Sequence, residues 1–383
     1  MQQVKPEVET FARIRVVGVG GSGKNAINHM MDSKVKGVEF VVINTDAQDL
    51  HNSQAKRKIH IGKNLTKGLG TGMVPELGKR AAEETMEEIQ EALKGSDMVF
   101  ITCGEGGGTG TGAAPIIAKT ARAMGALTVA VVTKPFSFEG QQRMRLAEQG
   151  LEDLRKEVDA MVVIPNDRLL AIVDRQMTVK NAFAMCDDIL RQGVEGISDL
   201  ITTPGTVNVD FADIRTIMES AGSALMGVGL ASGDKRAEDA AKAAINSPLL
   251  EVAITGAKGV LFSVAGGDDL GMLEIHDAAK VITESIDPNA RVIFGTSLDT
   301  RLKKGEVKVT VIATGFPEGL SHRGTSLFQM VEKDDEEKEK GKIYAAPPVA
   351  PKKAVEEKKA QPEPEETDDW GAVPAFLRRS KLK

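Results

Sequence analysis

Two glycine-rich stretches carry the clearest chemistry in this chain. Six of the nine residues 104–112 are glycine, and Thr109 and Thr111 stand among them. Stripping side chains away lets successive backbone N–H groups converge on an oxyanion, and the threonines add hydroxyl donors. The earlier stretch Gly18-Val19-Gly20-Gly21-Ser22-Gly23-Lys24-Asn25 allows three readings. It fits G-x-G-x-x-G at Gly18, Gly20 and Gly23, with Asp46 following where a ribose-binding acid would stand. It nearly fits the P-loop up to Lys24, but that pattern needs Ser or Thr next for magnesium, and Asn25 fails it. It also fits a plain phosphate cradle at a helix N-terminus. The second loop decides much of this. A nicotinamide dehydrogenase has no use for a second, richer phosphate loop, and a P-loop enzyme would not place one there. Two glycine loops at the ends of neighbouring parallel strands indicate one nucleotide held along the carboxyl edge of a sheet.

The elements that must position these loops alternate. Continuous Val/Ile runs predict strands over 13–19, 39–44, 97–103, 127–133 and 160–165. Helical patterns lie between them over 23–33, 75–93, 111–124 and 141–156, the second opening on Pro75, whose missing N–H is harmless there. Strands buried on both faces and alternating with helices indicate a parallel sheet. Residues 178–202 read as one long helix, apolar on more than one side and so buried between two domains. Further helices are predicted over 211–220, 235–246 and 270–285, with strands over 224–231, 259–265, 291–296 and 308–314. The fold class is therefore α/β: a parallel-sheet nucleotide domain joined by a long central helix to a second, smaller α/β domain, followed by a disordered tail. The boundaries read as 1–11 for a flexible N-terminus, 12–177 for the nucleotide domain, 178–204 for the central helix and 205–316 for the second domain. A connecting segment follows over 317–331, a linker over 332–369 and a terminal peptide over 370–383.

Composition excludes several classes. With 49 basic and 55 acidic residues the net charge is −6, a poor balance for a general nucleic-acid binder. Two cysteines, Cys103 and Cys186, cannot organise a disulfide framework or a structural zinc site and read as small buried hydrophobes. No apolar run is long enough to span a membrane, and residues 1–10 lack the features of a signal peptide, so the cytoplasm is expected. The five histidines show no metal-ligand spacing, and no protein metal site is assigned. Residues 332–369 hold 13 acidic and 8 basic residues with five prolines, a composition that cannot offset its own ordering entropy. After it the chain turns basic and apolar, with Val373, Pro374, Phe376, Leu377 and Arg378 forming a compact docking peptide.

Gly106-Gly107-Gly108-Thr109-Gly110-Thr111-Gly112 resembles the signature of the tubulin/FtsZ family of GTPases, and the likeness extends over nearly the whole chain. The cluster from Gly20 to Asn25, the run Asn44-Thr45-Asp46-Ala47-Gln48, and Gly68-Leu69-Gly70-Thr71-Gly72 with Pro75-Glu76 are similar to family loops. So are Pro135-Phe136-Ser137-Phe138-Glu139-Gly140 with Arg143, Ile164-Pro165-Asn166-Asp167, and Asn208-Val209-Asp210-Phe211-Ala212-Asp213. The chain departs from the family at Ser22, Lys24, Glu105 and Met73-Val74. On charge alone, Lys24 adds attraction for phosphate and Glu105 opposes it.

The resemblance implies GTP and GDP as ligands. Gly20, Gly21, Ser22, Gly23, Lys24 and Asn25, with Gly107, Gly108, Thr109, Gly110 and Thr111, are implied to cradle the phosphates. Gly70, Thr71 and Gly72 would close over the γ-phosphate, Glu139 and Arg143 would meet the ribose and phosphate side, and Asn166 the ribose and base. Phe183 would stack on the base. Asp187, one helical turn later on the same face, can accept from the guanine N1 and N2 donors, a pair adenine lacks. For catalysis the resemblance implies Asp210, Asp213 and Asn208, acting on the GTP of a neighbouring subunit, with Mg2+ on the phosphates and a monovalent cation as a further candidate. It also implies a head-to-tail filament of bacterial division at mid-cell, tethered through the terminal peptide to membrane anchors and regulators. No nucleic acid and no direct membrane insertion are expected. The rivals are an NAD(P) oxidoreductase, a tubulin-like protein that binds GTP but assembles passively, and a plasmid-segregating or phage homologue.

Overall fold

The computed structural model describes residues 12–170, 177–203, 205–247, 254–299 and 301–316, all within a unit spanning Met1–Thr325. The expectations for residues 1–11 and 317–383, including the linker and the terminal peptide, lie outside the described residues. Ten strands form one sheet. They are β1 (Ile14–Val19), β2 (Val38–Asn44), β3 (Arg57–His60), β4 (Met98–Gly104), β5 (Leu127–Lys134), β6 (Ala160–Pro165), β7 (Gly222–Ser232), β8 (Gly259–Gly266), β9 (Arg291–Leu298) and β10 (Glu306–Thr314). The helices are α1 (Gly20–Asp32), α2 (Ala47–His51), α3 (Lys63–Thr66), α4 (Pro75–Glu84), α5 (Met86–Leu93), α6 (Thr109–Ala123), α7 (Gln141–Glu157), α8 (Asn166–Leu170), α9 (Val179–Thr202), α10 (Phe211–Met218), α11 (Arg236–Ile245) and α12 (Met272–Thr283).

The strand order is β3-β2-β1-β4-β5-β6-β7-β10-β8-β9. All pairings from β3 to β7 are parallel, β10 runs antiparallel between β7 and β8, and β9 is parallel to β8. Period-two alternation assigns the two faces. Val16, Val42, Phe100, Val131 and Val162 bury on one side with α1, α9 and α10. Val17, Ile43, Ile101, Val132 and Met161 bury on the other with α4, α5, α6 and α7. Beyond β7, α11 and α12 cover β8 and β10 with a separate core.

The strands and helices fall where the sequence patterns predict them, with differences that have local causes. The single helix expected over 75–93 is two, because Thr85 leaves helical geometry and its hydroxyl accepts from the Gly62 N–H at 3.2 Å. β3, α2, α3 and α8 are four or five residues long, too short to show a period. Helix α9 is buried between the halves as its pattern implies: Gly193 lies against both Val131 of β5 and Met226 of β7. Its one buried acid, Glu195, pairs with Arg191 and with Arg301 beyond β9. Among the described residues, no helix is long and apolar enough to cross a membrane.

Candidate functional site

β1 and β4 are hydrogen-bonded neighbours, so the two glycine loops that follow them leave the sheet side by side. They touch. At Gly20, whose φ is +72°, a Cβ would lie 3.1 Å from the Gly110 nitrogen, and Ser22 Oγ accepts from the Gly104 N–H at 2.6 Å. A side chain on Gly20 would press against the second loop and strain the backbone. Around Gly107, Gly70 and Gly72 a Cβ would meet nothing within 4 Å, so these backbones face open space. Thr109 Oγ1 lies 2.8 Å from Thr45 Oγ1 and 3.1 Å from Thr71 Oγ1, joining the loops after β2 and β4 and the segment before α4 through hydroxyls. Thr111 Oγ1 accepts from the Gly106 N–H at 2.9 Å and braces the second loop.

The segment that carries Gly70, Thr71 and Gly72 is held by helix packing. Gly108 has room for no side chain beside Thr71, and Gly112 has none beside the Pro75 carbonyl, so α4 seats directly on α6. Aromatic rings gather near the start of α9. Phe183, 42% exposed, meets Phe136 edge to face at 5.4 Å, and Phe136 stacks on Phe138 at 4.9 Å. Phe183 is therefore available to a base and is not ordinary core. Asp187, one turn on, is half-buried rather than on a solvated face. Burial pushes its carboxyl up to about 6, against the pull of His29 and Lys24. Asn166 is buried, and among the described residues its Oδ1 has no hydrogen-bond partner. Glu139 and Arg143 form an ion pair at 3.0 Å, while Arg143 Nε is buried with no partner among the described residues. Polar atoms left unmatched in this one region are what a polar ligand would satisfy.

Lys24 behaves differently from the expectation drawn from charge alone. Its Nζ donates to Asp49 Oδ1 at 2.6 Å, and Asn44 donates to the other oxygen at 2.8 Å, so Asp49 offsets its charge. Thr45, Phe136 and Phe138, which lie in runs the motif reading quoted without giving them a role, and Asp49, which it did not quote, are neighbours of the site. The two phenylalanines of Pro135-Phe136-Ser137-Phe138 in a chain with only 12 were the available signal.

Asn208, Asp210 and Asp213 are exposed and stand elsewhere. Helix α9 starts beside Phe136 and ends with Thr202 on Gly37, just before β2, so it crosses from the carboxyl edge of the parallel strands to the amino edge. The distance from Phe183 to Thr202 is roughly 28 Å at 1.5 Å per residue. Helix α10 stays at the amino edge, where Arg215 donates to the Gly125 carbonyl before β5 and Ile217 accepts from Thr314 at the end of β10. Asp210 caps α10 through the Ala212 N–H, and Asn208 accepts from the Gly205 N–H. The glycine loops and these acids thus sit at opposite ends of one molecule. Among the described residues, no group of three or more His, Cys, Asp or Glu side chains is arranged to hold a metal ion.

Fold and site together define a nucleotide-binding protein whose phosphate loops line the carboxyl edge of a parallel sheet. Residues 13–174 match the tubulin/FtsZ family GTPase domain, and residues 222–317 match the FtsZ family C-terminal domain. A solved FtsZ dimer from M. jannaschii is 47% identical, covers 80% of this chain and 89% of its own, and superposes with a TM-score of 0.77. A tryptophan-to-tyrosine mutant of FtsZ from the same organism has the same identity and TM-score, covering 80% of this chain and 92% of its own. CetZ2 from Haloferax volcanii, solved as a GTPγS-bound protofilament, shares the fold at 21% identity and a TM-score of 0.69, covering 84% of this chain and 99% of its own. The chain belongs to the tubulin/FtsZ family of GTPases, in its FtsZ branch, and membership implies guanine-nucleotide binding.

Proposed function

We propose that this protein is a cell-division filament that assembles head to tail with GTP and hydrolyses it only where one protomer meets the next. The observation that carries the reading is the separation along α9. Phosphate loops face open space at one end, while Asn208, Asp210 and Asp213 stand exposed at the other. In one chain these acids cannot reach the loops that would hold GTP. In a head-to-tail pair they can. Hydrolysis needs an oriented water and charge stabilisation, with no covalent intermediate, so two carboxylates arriving from outside are sufficient protein chemistry. The solved FtsZ dimer and the CetZ2 protofilament support self-association as the mode.

On this reading Gly20, Gly21, Ser22, Gly23, Asn25 and the loop from Gly107 to Thr111 donate N–H and hydroxyl groups to phosphate. Gly70, Thr71 and Gly72 cover the terminal phosphate, and Phe183 packs on the base while Asp187 selects guanine. Mg2+ would be carried mainly by the phosphate oxygens, as this hard cation usually is at nucleotide sites. A ring at the mid-cell division site of the cytoplasm, and anchoring of its filaments through Val373, Pro374, Phe376, Leu377 and Arg378, follow from the same reading.

The test is turnover against protein concentration, with Asp213→Ala alongside. Turnover should be negligible below a threshold and linear above it. The variant should bind GTP without hydrolysing it, and mixed into wild type it should lower turnover by more than dilution does. A rate proportional to concentration from the origin would put every catalytic group in one chain and reject the shared site. Bound GTP with no hydrolysis at any concentration would favour passive assembly.

A further inference from the structure

Glu105 interrupts the second glycine loop with a carboxyl group that the nucleotide reading does not use. Its side chain is 2% exposed and turns into the molecule behind the loop. Oε1 accepts from the Cys103 thiol at 3.4 Å; among the described residues Oε2 has no partner in normal hydrogen-bond geometry, though the Thr111 side chain is near enough to pull on the carboxyl. The groups around it are neutral or committed. From β4 it meets Cys103, from α6 Thr111, and from β5 the Thr133 carbonyl, which accepts the N–H of Glu105 itself at 2.9 Å. From α7 it meets Gly150, which has no room for a side chain because Oε2 and the Thr111 methyl occupy it. Arg143 of α7 lies against Gly106 and is paired with Glu139, and the groove beyond Thr111 and Gly150 carries Glu76, Lys79, Lys119 and Asp153 among its charged residues. Burial pushes the carboxyl up to about 7, against the pull of Thr111 and Cys103. Thr111 and Gly150 line this groove of about 560 Å³ between α4, α6 and α7, so solvent lies one residue layer from the acid.

An anion brought to the loop acts on this carboxyl through the backbone of Gly106 and Gly107. Like charges at short range in a dry setting disfavour double ionisation. We propose that Glu105 takes up a proton from solvent when nucleotide phosphate binds, and so makes nucleotide affinity fall as pH rises. The proposal rests on the reading that phosphate sits at residues 104–111. By linkage, phosphate bound more tightly by the protonated form also favours that form, so the effect is reciprocal. Glu105 is a positioning residue here, since it touches no substrate atom and acts through the loop.

The experiment is GDP affinity of the full chain from pH 6.5 to 8.5, for wild type, Glu105→Gln and Glu105→Met. The terminal phosphate and Asp187 titrate nearby as well, but both remain in the variants, so the difference between profiles isolates Glu105. Wild-type affinity should fall about tenfold more over this range than that of either neutral variant. Parallel profiles would overturn the proposal while leaving the nucleotide site intact. No GDP binding by any of the three at any pH would instead reject the nucleotide reading itself. Difference infrared spectroscopy of wild type at pH 8 supplies a readout that needs no variant. A protonated-carboxyl C=O band should appear on adding GDP, and its absence would likewise overturn the proposal.

Discussion

On the proposed reading, Asp187 trades stability for recognition. A carboxylate that accepts from guanine must be charged and poorly solvated, and poor solvation raises its pKa. Here burial brings it to about 6 from an ordinary 3.8, so the folded state holds its proton more tightly than the unfolded one. Its contribution to stability is therefore full below about pH 4 and is lost as pH rises through 6. Asp187→Asn should raise the melting temperature of the nucleotide-free protein at pH 8 by about 2–4 °C. The same variant should weaken GDP binding about 10- to 100-fold, the loss expected for charge-assisted hydrogen bonds. Thermal melts and GDP titration read the two effects separately. Weaker binding without a gain in melting temperature would mean that the free carboxylate is better solvated than its burial implies.

At the scale of elements, the α4–α6 contact controls the segment carrying Gly70, Thr71 and Gly72. These helices approach so closely that a Cβ on Gly112 would lie 1.9 Å from the Pro75 carbonyl. Gly112→Ala must push α4 outward, and overpacking of this kind costs about 1–3 kcal/mol. Because Thr71 is bonded to Thr109, the same shift should pull the two loops apart. The variant should melt lower and should lose affinity for GTP more than for GDP, since only the triphosphate would reach that segment. Equal loss for both nucleotides would show that α4 does not govern the terminal phosphate. The break between α4 and α5 at Thr85 belongs to this scale too. Thr85 accepts from Gly62, 23 residues away, so no local pattern announces it.

At the scale of the molecule, the charge distribution sets a stability profile. Glu105, Asp187 and Asp199 are raised to about 7, 6 and 6, chiefly by burial, with Glu195 adding to the shift of Asp199. Each contributes stability at low pH that is lost as pH climbs through its folded value. The opposite group is held low. Burial works against Asp188 and Asp299, but Arg191, Gln192 and His29 hold the first down, and Arg301 and Lys308 the second. Hydrogen bonding to Arg236 does the same for Glu274. These groups lose their contribution as pH falls below about 4. The nucleotide-free protein should therefore melt highest near pH 5 and lower at both pH 3 and pH 8. A melting temperature that rises from pH 5 to 8 would contradict these assignments.

What the amino-acid sequence determined by itself is whatever depends on residue type at short range. Glycine and threonine in the loop of 104–112 follow from the need for bare backbone next to an anion, and Val/Ile runs follow from strands buried on both faces. Phe183 and Asp187 share a face because a helix repeats every 3.6 residues, whatever surrounds it. Other features required the fold. Phe183 becomes an exposed ring, and Asp187 a half-buried acid, only when the 133–140 loop and α1 close around the start of α9. Lys24 is neutralised by a residue 25 positions away, and Glu195 pairs with Arg301 at a separation of 106. The antiparallel insertion of β10 between β7 and β8 depends on which edges remain to be paired once the other strands are placed. That Asp210 and Asp213 lie at the far end from the glycine loops rests on the direction in which one helix crosses one sheet. Burial, partner choice and distance are properties of chain segments brought together, and no run of adjacent residues encodes them on its own.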